Sequence, residues 1–255
     1  MLNLEEIKDD IEMLLRNVGV NVKKGFESKN KEFTTKSSAN DLLTKFDIET
    51  NAAILKHLEE KYPSISIISE EAEEISKVSE YAFVVDPIDG TRNFVRNIPV
   101  FFIGIGLVKN GKPILSVTFN PVTEELFWAI KGQGAFKNNV KINVGNRTLE
   151  LSDIVVRTLP DKKLEGETVS KIVENVWQVK NNMCCHEEIS GVAYDRYDGF
   201  VSKGSSPWDY CHCLLVEEAG GRVTDWNGEE FNISKDNIIA SNGIIHDELL
   251  KFVAV

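Results

Sequence analysis

A run of six residues, Asp86-Pro87-Ile88-Asp89-Gly90-Thr91, directly follows an apolar stretch at 81–85 and constrains how this part of the chain can fold. A short apolar stretch bounded by turn formers is typical of a buried β-strand. Pro87 lacks a backbone N–H, so we expect it to end the hydrogen-bond ladder right after Asp86. Gly90 tolerates the dihedral angles of a sharp turn. The sequence therefore predicts a rigid strand whose end presents two carboxylates, free backbone groups and a hydroxyl in one small volume.

Other acidic residues also stand at the ends of predicted elements. Glu70 follows the apolar stretch at 64–68, and Asp209 opens a predicted helix after Pro207-Trp208. Taken singly, Asp209 is typical of a helix N-cap, Glu70 of a solvated loop and the Asp86–Thr91 run of a turn. Taken together, they favour a site for a hard cation such as Mg²⁺, which binds carboxylate and carbonyl oxygens.

Composition limits the classes of function. The chain has 255 residues, 42% of them hydrophobic and 27% charged, which is ordinary for a soluble globular protein of one large or two small domains. We expect a cytoplasmic protein without a membrane partner, because no apolar run reaches roughly 18 residues and the N-terminus does not resemble a signal peptide. A net charge of −11 argues against a nucleic-acid polymer as partner, but a small anionic substrate remains compatible with bound metal ions.

The four cysteines and two neighbouring histidines raise the alternative of a zinc site. Their C-C-H and C-H-C spacings differ from the usual ligand spacings, so buried, reduced thiols are the favoured interpretation. These residues are Cys184, Cys185, His186, Cys211, His212 and Cys213.

The pattern of apolar residues predicts two different halves. Residues 1–147 read as two helices, about 4–28 and 44–61, joined by a mobile polar loop at 29–38 and followed by an antiparallel meander. The second helix is expected to bury one apolar face, formed by Ile48, Ala52, Leu55 and Leu58. Residues 148–255 alternate strands and helices, including a helix at 209–219, and read as a tightly joined α/β half that completes the active site.

Four motifs in this order resemble those of the inositol monophosphatase family. That family belongs to a superfamily of Mg²⁺-dependent, Li⁺-sensitive phosphatases with fructose-1,6-bisphosphatases and 3′-phosphoadenosine-5′-phosphate phosphatases. The motifs cover almost the whole chain: Asp41-Leu42-Leu43-Thr44-Lys45-Phe46-Asp47, Glu70-Glu71, Asp86 to Phe94, and Trp208-Asp209 with the later Glu218-Ala219-Gly220-Gly221.

The resemblance implies a layered αβαβα sandwich and a Mg²⁺-dependent phosphomonoesterase with two or three ions per active site. Glu70, Asp86 and the Ile88 carbonyl would hold one ion, and Asp86, Asp89 and Asp209 would hold a second. Asp47 and Thr91 would act with Glu70 on the attacking water. Relatives commonly form homodimers, so we expect one here.

The substrate side departs from the family pattern. The resemblance implies substrate contacts by Asp89, Gly90, Thr91, Asp209, Cys184, Cys185 and Ser202. Met183-Cys184-Cys185 replaces a Gly-Ser/Thr-Ala run, and Ser202 stands where many inositol-phosphate hydrolases have a Glu. The phosphate end is therefore expected to be intact, whereas the end that binds the alcohol has changed.

Several alternatives follow from these departures. The substrate is an inositol monophosphate or sugar phosphate in the leading interpretation, and a 3′(2′),5′-bisphosphate nucleotide or fructose 1,6-bisphosphate in the alternative. A regulatory protein that keeps the fold without catalysis is disfavoured, because every ligand position is filled. Arg92 is either an anion-binding residue or a solvated surface residue. Lys36 is expected to be an unpaired surface lysine rather than a partner of the carboxylates.

Overall fold

The computed structural model describes residues 2–28, 31–36, 42–72, 80–158, 166–204 and 206–254. The helices are α1 (Leu4–Glu27), α2 (Lys45–Lys61), α3 (Thr91–Val95), α4 (Gly166–Asn175), α5 (Cys185–Ala193), α6 (Pro207–Tyr210), α7 (Leu214–Glu218) and α8 (His246–Val253). The strands are β1 (Phe33–Thr35), β2 (Leu42–Thr44), β3 (Ser66–Ser69), β4 (Tyr81–Asp89), β5 (Phe102–Lys109), β6 (Lys112–Asn120), β7 (Glu125–Ile130), β8 (Gly134–Lys137), β9 (Val140–Ile142), β10 (Asp153–Thr158), β11 (Gln178–Lys180), β12 (Gly199–Lys203), β13 (Arg222–Thr224) and β14 (Asn237–Ser241).

Two mixed sheets form the framework. The seven-stranded sheet follows chain order from β3 to β9, and every neighbouring pair is antiparallel except β3 with β4. The five-stranded sheet has the order β11-β10-β12-β14-β13, with parallel pairs around β10 and antiparallel pairs around β14. The predicted meander is thus confirmed apart from its parallel first pair, and the predicted division at residue 147 falls between the two sheets.

Helices fill the spaces on both sides of these sheets. Helices α1 and α2 pack on one face of the seven-stranded sheet, and α5, α6 and α7 lie between the two sheets. Helices α4 and α8 pack together on the outer face of the five-stranded sheet. Apolar residues of these helices pack against the sheets, which is the general way such layers are stabilised. The predicted αβαβα sandwich is confirmed.

The face that α2 buries differs from the predicted one. Ile48 is 55% exposed and Ala52 is also exposed, whereas the polar residues Thr50 and Asn51 are buried. Asn51 accepts a hydrogen bond from the Ser69 hydroxyl at 2.7 Å, so this polar face is stabilised by partners at the end of β3. The apolar periodicity therefore identified the helix but not its orientation.

Three further boundaries are corrected. Strand β4 continues past Pro87 to Asp89, with a register shift between Asp86 and Asp89 in place of a strand end. Part of the predicted loop at 29–38 is the strand β1, which pairs with β2; residues 29, 30 and 37–41, including the motif residue Asp41, lie outside the described residues. The helix predicted at 209–219 is divided into α6, a 3₁₀ turn and α7, and α5 was not predicted.

Among the residues that the structure describes, no helix is both long and apolar enough to cross a membrane.

Candidate active site

The parallel pair β3–β4 brings the first two acidic residues to one edge of the sheet. Ser69 is the register partner of Val85, so Glu70, the first residue after β3, comes beside Asp86, which is still part of β4. The Glu70 backbone N–H donates to the Val85 carbonyl at 3.2 Å, which fixes the start of the loop after β3. Asp86 is 2% exposed. A rigid strand end therefore presents both side chains to one volume.

The sharp turn after β4 requires a glycine. Gly90 has a φ of 87°, a left-handed conformation that other residues adopt at a cost, and it precedes α3 directly. A Cβ there would lie 2.9 Å from the Val100 carbonyl oxygen and 3.2 Å from Cys184 Cβ. The turn directs Asp89 and Thr91 toward the strand edge that carries Asp86.

Thr91 and Asp47, the pair that the family resemblance places at the attacking water, lie in contact. The Thr91 hydroxyl is 3.1 Å from Asp47 Oδ1 and 3.0 Å from the Ile88 carbonyl oxygen. Asp47 Oδ2 accepts from the Thr44 backbone N–H and hydroxyl, which form the capping box of α2. The cap of α2 thus holds Asp47 Oδ1 against Thr91.

Asp89 is held by the start of α5. Its Oδ2 atom accepts the His186 backbone N–H at 2.6 Å and lies 3.2 Å from the Cys184 thiol. Backbone N–H groups at a helix N-terminus attract carboxylates, which explains this arrangement. Asp89 Oδ1 lies 4.0 Å from Nη1 of Arg157.

Asp209 has two functions in the structure. Its Oδ2 atom accepts the Ser206 backbone N–H at 3.0 Å in the capping box of α6. Its Oδ1 atom lies 3.1 Å from Nη2 of Arg157. The N-cap of α6 is thus Ser206, and Asp209 is the third helical residue of the capping box rather than the N-cap that its sequence position suggested. Its capping contact and its contact with Arg157 use different oxygens.

Arg157 lies on β10 inside the carboxylate cluster, and sequence reasoning missed it. Its Nη1 atom is 4.0 Å from Asp89 Oδ1 and 4.0 Å from Glu188 Oε2, and its side chain is 14% exposed. The missed signal was the alternation of a buried strand: Val155 and Arg157 share a face, and a charge on such a face requires a partner. Glu188, the other missed residue, is that internal partner and is fully buried.

The structure contradicts the prediction that Lys36 is an unpaired surface lysine. Its ammonium group is 2.8 Å from Glu70 Oε1 and also contacts Glu71, so it is not an unpaired surface lysine. Burial alone would lower the pKa of Lys36, but the charge of Glu70 raises it. Lys36 and Arg157 together place a side-chain cation at each end of the carboxylate cluster.

Three acids of the cluster, Asp47, Glu70 and Asp86, have raised pKa values. Burial raises the pKa of Asp47 to about 6, and burial raises that of Glu70 to about 7 against the opposing effect of Lys36. Burial, followed by the charges of Glu70, Asp89 and Asp209, raises the pKa of Asp86 well above its ordinary value. The acids destabilise one another's charged forms, which is the arrangement that a divalent cation would relieve.

The donor set fits a divalent cation. Asp86 Oδ1 is buried and has no hydrogen-bond partner among the described residues, although it stands beside other carboxylates. Ligand atoms of Asp86, Asp89 and His186 lie within 4.8 Å of one another. However, His186 Nε2 is 3.1 Å from the Trp208 carbonyl oxygen and Nδ1 is 3.2 Å from the Thr118 hydroxyl, so both ring nitrogens are already engaged. The oxygens therefore match the preferences of Mg²⁺ better than the imidazole does.

The two histidines form a packed layer behind the carboxylates. The rings of His186 and His212 lie 4.0 Å apart between centroids, and both are fully buried. They pack against Gly104 on β5, where a Cβ would come within 2.3 Å of His186 Cε1 and 2.5 Å of His212 Nε2. A side chain at position 104 would displace the ring whose backbone N–H holds Asp89.

The predicted substrate residues on the C-terminal half lie behind the carboxylates. Cys184 and Cys185 are fully buried, and the Cys185 thiol lies 3.7 Å from the Asp209 carbonyl oxygen. Ser202 is fully buried, and its hydroxyl accepts from Tyr210 at 3.0 Å. All four cysteines are buried and free of disulfides, as the sequence indicated.

Comparison with known proteins agrees with this architecture. A sequence model of the inositol monophosphatase family matches residues 3–254. A Thermotoga maritima protein named fructose-1,6-bisphosphatase/inositol-1-monophosphatase is 33% identical over 219 residues, covering 86% of this chain and 84% of the relative. The Nus factor SuhB of Escherichia coli K12 is 31% identical over 235 residues, covering 89% of this chain and 88% of the relative.

Among solved structures, the Thermotoga maritima IMPase has a TM-score of 0.88 at 32% identity and covers 96% of this chain and 95% of its own. The SuhB protein of Bartonella henselae has a TM-score of 0.90 at 30% identity, and the match covers 97% of this chain and 98% of the SuhB chain. The match in sequence and fold spans both sheets and all the acidic residues described above. The chain belongs to the inositol monophosphatase family.

Proposed function

We propose that this protein is a metal-dependent phosphatase that hydrolyses a small phosphorylated alcohol. The observation that carries the proposal is that Glu70, Asp89 and Asp209 lie close enough to Asp86 for their charges to raise its pKa, while Asp86 Oδ1 has no hydrogen-bond partner among the described residues. A cluster of buried acids with one oxygen left unsatisfied costs stability unless a cation completes it. Such a cost is reasonable at a site where the cation has a function.

The acids divide into two sets. We assign Glu70, Asp86 and the Ile88 carbonyl to one Mg²⁺ ion, and Asp86, Asp89 and Asp209 to a second, with a third ion near Glu70 as an option. Two such ions, when bound, lower the pKa of a water molecule and stabilise negative charge on the leaving oxygen. The side chains supply positioning, because the chemistry of phosphoryl transfer depends mainly on geometry and electrostatics.

Asp47 and Thr91 orient the attacking water in this proposal. The Thr91 hydroxyl has one proton, which it donates to Asp47 Oδ1, so its lone pairs can accept a hydrogen bond from water. Glu70, at the neighbouring strand end, is the remaining group in reach of that water. The raised pKa of Asp47 and Glu70 suits groups that accept a proton near neutral pH.

Names of relatives suggest the substrates to test. One relative carries both fructose-1,6-bisphosphatase and inositol-1-monophosphatase in its name, and a tomato relative named inositol monophosphatase 2 is 34% identical over 223 residues. We place inositol monophosphate and sugar phosphates first, and fructose 1,6-bisphosphate and 3′(2′),5′-bisphosphate nucleotides second. Substrate contacts from Asp89, Gly90, Thr91 and Asp209 remain part of the proposal.

A second candidate function is regulatory. Relatives named Nus factor SuhB, including that of Escherichia coli K12, share about a third of the sequence, so the fold also occurs in proteins named for another function. The complete set of acidic residues favours catalysis. The homodimer, the cytoplasmic location, the lack of a nucleic-acid partner and the role of Arg92 stay predictions from the sequence.

The deciding experiment measures phosphate release from a panel of inositol, sugar and nucleotide phosphates at saturating Mg²⁺. Asp89→Asn and Asp209→Asn should each lower kcat/KM by at least about a hundredfold, because each removes a charged ligand without changing its size. Asp153→Asn is the matched control, since Asp153 pairs with Lys180 outside the site and should leave the rate unchanged. A protein inert to the whole panel would favour the regulatory function, and full activity in either site variant would contradict the metal assignment.

A further inference from the structure

Arg157 lies beside two of the three carboxylates assigned to the second ion, Asp89 and Asp209. We call the space bounded by Asp86, Asp89 and Asp209 the second-metal corner. Within it, Arg157 Nη2 lies 3.1 Å from Asp209 Oδ1, and Nη1 lies 4.0 Å from Asp89 Oδ1. These are the oxygens left over after the other atom of each carboxylate has accepted a backbone N–H. The guanidinium therefore neutralises the same atoms that a divalent cation would bind.

An arginine at this position cannot lose its positive charge by giving up a proton when a metal ion binds. A lysine can shed its charge when a metal ion approaches, whereas a guanidinium stays charged at every pH at which the protein is folded. A divalent cation bound to Asp89 and Asp209 would stand within a few ångströms of this fixed positive charge. The two cations must therefore compete for the oxygens, or the guanidinium must move away.

Glu188 provides a place for the guanidinium to move to. Its Oε1 atom accepts the Asn182 backbone N–H at 2.7 Å, while Oε2 has no hydrogen-bond partner among the described residues. Arg157 Nη1 is likewise without a hydrogen-bond partner there and lies 4.0 Å from that oxygen. A movement of about 1 Å would convert this separation into a hydrogen bond. Ser202 lies opposite Arg157 on the neighbouring strand β12, and its side chain adds no charge to the surroundings of the guanidinium.

We propose that Arg157 is a movable internal cation that occupies the second-metal corner in the metal-free protein and shifts to Glu188 when a divalent cation binds there. This inference rests on the proposed function, because it assumes that the second ion binds Asp89 and Asp209. The first set of ligands, at Glu70 and Asp86, does not involve Arg157. Arg157 is thus a positioning residue that sets the affinity of one of the two ions.

The test is a titration of the full chain with Mg²⁺ by calorimetry and with Mn²⁺ by electron paramagnetic resonance, which counts bound ions without measuring catalysis. In Arg157→Gln the second ion should bind about tenfold or more tightly than in the parent, because a charge-assisted contact no longer has to be broken. In Glu188→Gln the second ion should bind about tenfold more weakly, because the displaced guanidinium loses its partner. The first ion should bind equally in all three proteins.

Arg147→Gln is the matched control. Arg147 pairs with Asp195 and Asp198 away from the site, so its loss should leave both affinities unchanged. Opposite changes in the two site variants support the inference, since a merely structural ion pair would weaken metal binding in both. Unchanged or weaker binding in Arg157→Gln would overturn it. A parent protein that binds no divalent cation would overturn the proposed function itself, whereas two bound ions with unaffected variants would overturn only the inference about Arg157.

Discussion

The hydroxyl of Thr91 shows how much one side chain can contribute at this site. It lies between Asp47 Oδ1 and the Ile88 carbonyl oxygen, but its single proton can satisfy only one of them. The carboxylate is the stronger acceptor, so the Ile88 carbonyl keeps its lone pairs for another partner. A single threonine thereby both orients Asp47 and leaves a backbone oxygen available to a cation.

Thr91→Val tests this role. We expect kcat to fall by about a hundredfold with little change in KM, because valine keeps the shape and removes the group that orients the attacking water. Asp47 would also lose a hydrogen bond that lowers its pKa, so the pH at which the rate rises should move upward.

Thr123→Val, in an exposed turn, is the control and should keep the parent rate and pH profile. Equal loss of activity in both variants, or an unchanged rate in Thr91→Val, would remove Thr91 from the catalytic group.

At the scale of elements, the sequence predicted the parts that obey a simple periodicity. Helix α1 has the expected apolar stripe and strand β4 the expected apolar run. Helix α2 was oriented wrongly because it buries Thr50 and Asn51 beside the site, where polar groups are satisfied by partners distant in sequence.

Helix α5 was missed because all of its residues, including charged ones, are buried, so it has no amphipathic pattern to detect. Arg157 was missed because its partners come from three separate elements.

The packing of β5 against α5 gives a prediction at the scale of elements. Gly104→Ala should destabilise the protein by about 1–3 kcal/mol or more, because its Cβ would overlap the rings of His186 and His212. The same displacement would move the backbone N–H that holds Asp89, so Mg²⁺ should bind more weakly. Thermal unfolding and metal titration measure the two effects.

Gly166→Ala is the control for the general effect of a glycine substitution. No atom lies within 4 Å of a Cβ there, so we expect a change of at most about 1 kcal/mol and unaltered metal binding. A stable Gly104→Ala protein with parent-like metal affinity would show that the histidine layer does not position Asp89.

At the scale of the whole molecule, the site influences the pH dependence of folding. In the metal-free protein, burial holds the pKa of Asp47 at about 6 and that of Glu70 at about 7, above the values near 4 of an unfolded chain. The native state therefore binds more protons than the unfolded state in this range. These two groups contribute stability that is present below about pH 4 and is lost as the pH rises through 6 and 7.

We expect the free energy of unfolding of the metal-free protein to fall by on the order of 4 kcal/mol between about pH 5 and pH 8 from these groups. Saturating Mg²⁺ should remove this decrease and raise the Tm, because it binds only the native, deprotonated site. Urea denaturation at several pH values, with chelator and with Mg²⁺, measures both effects. Asp47→Asn should show a smaller decrease than the parent, and a variant as pH-dependent as the parent would contradict the assignment.

Asp10 is an acid whose contribution has the opposite sign. Burial alone would raise the pKa of Asp10, but hydrogen bonds from Lys61, His57 and Tyr62 lower it. Asp10 therefore contributes stability above its unfolded pKa, and this stability is lost in acid. Comparing the pH dependence of unfolding in the parent and in Asp47→Asn separates the contribution of the site from that of groups such as Asp10.

The double use of Asp209 also affects how this chain can change during evolution. Because Asp209 Oδ2 caps α6, replacing it costs folding stability of about 1 kcal/mol even in a protein that no longer needs a metal. Selection for folding alone would thus preserve Asp209 after catalysis had been lost. Among the described residues, Glu70 caps no helix, and its side chain pairs with the Lys36 ammonium group. In descendants that exchange catalysis for regulation, position 70 should therefore diverge before position 209.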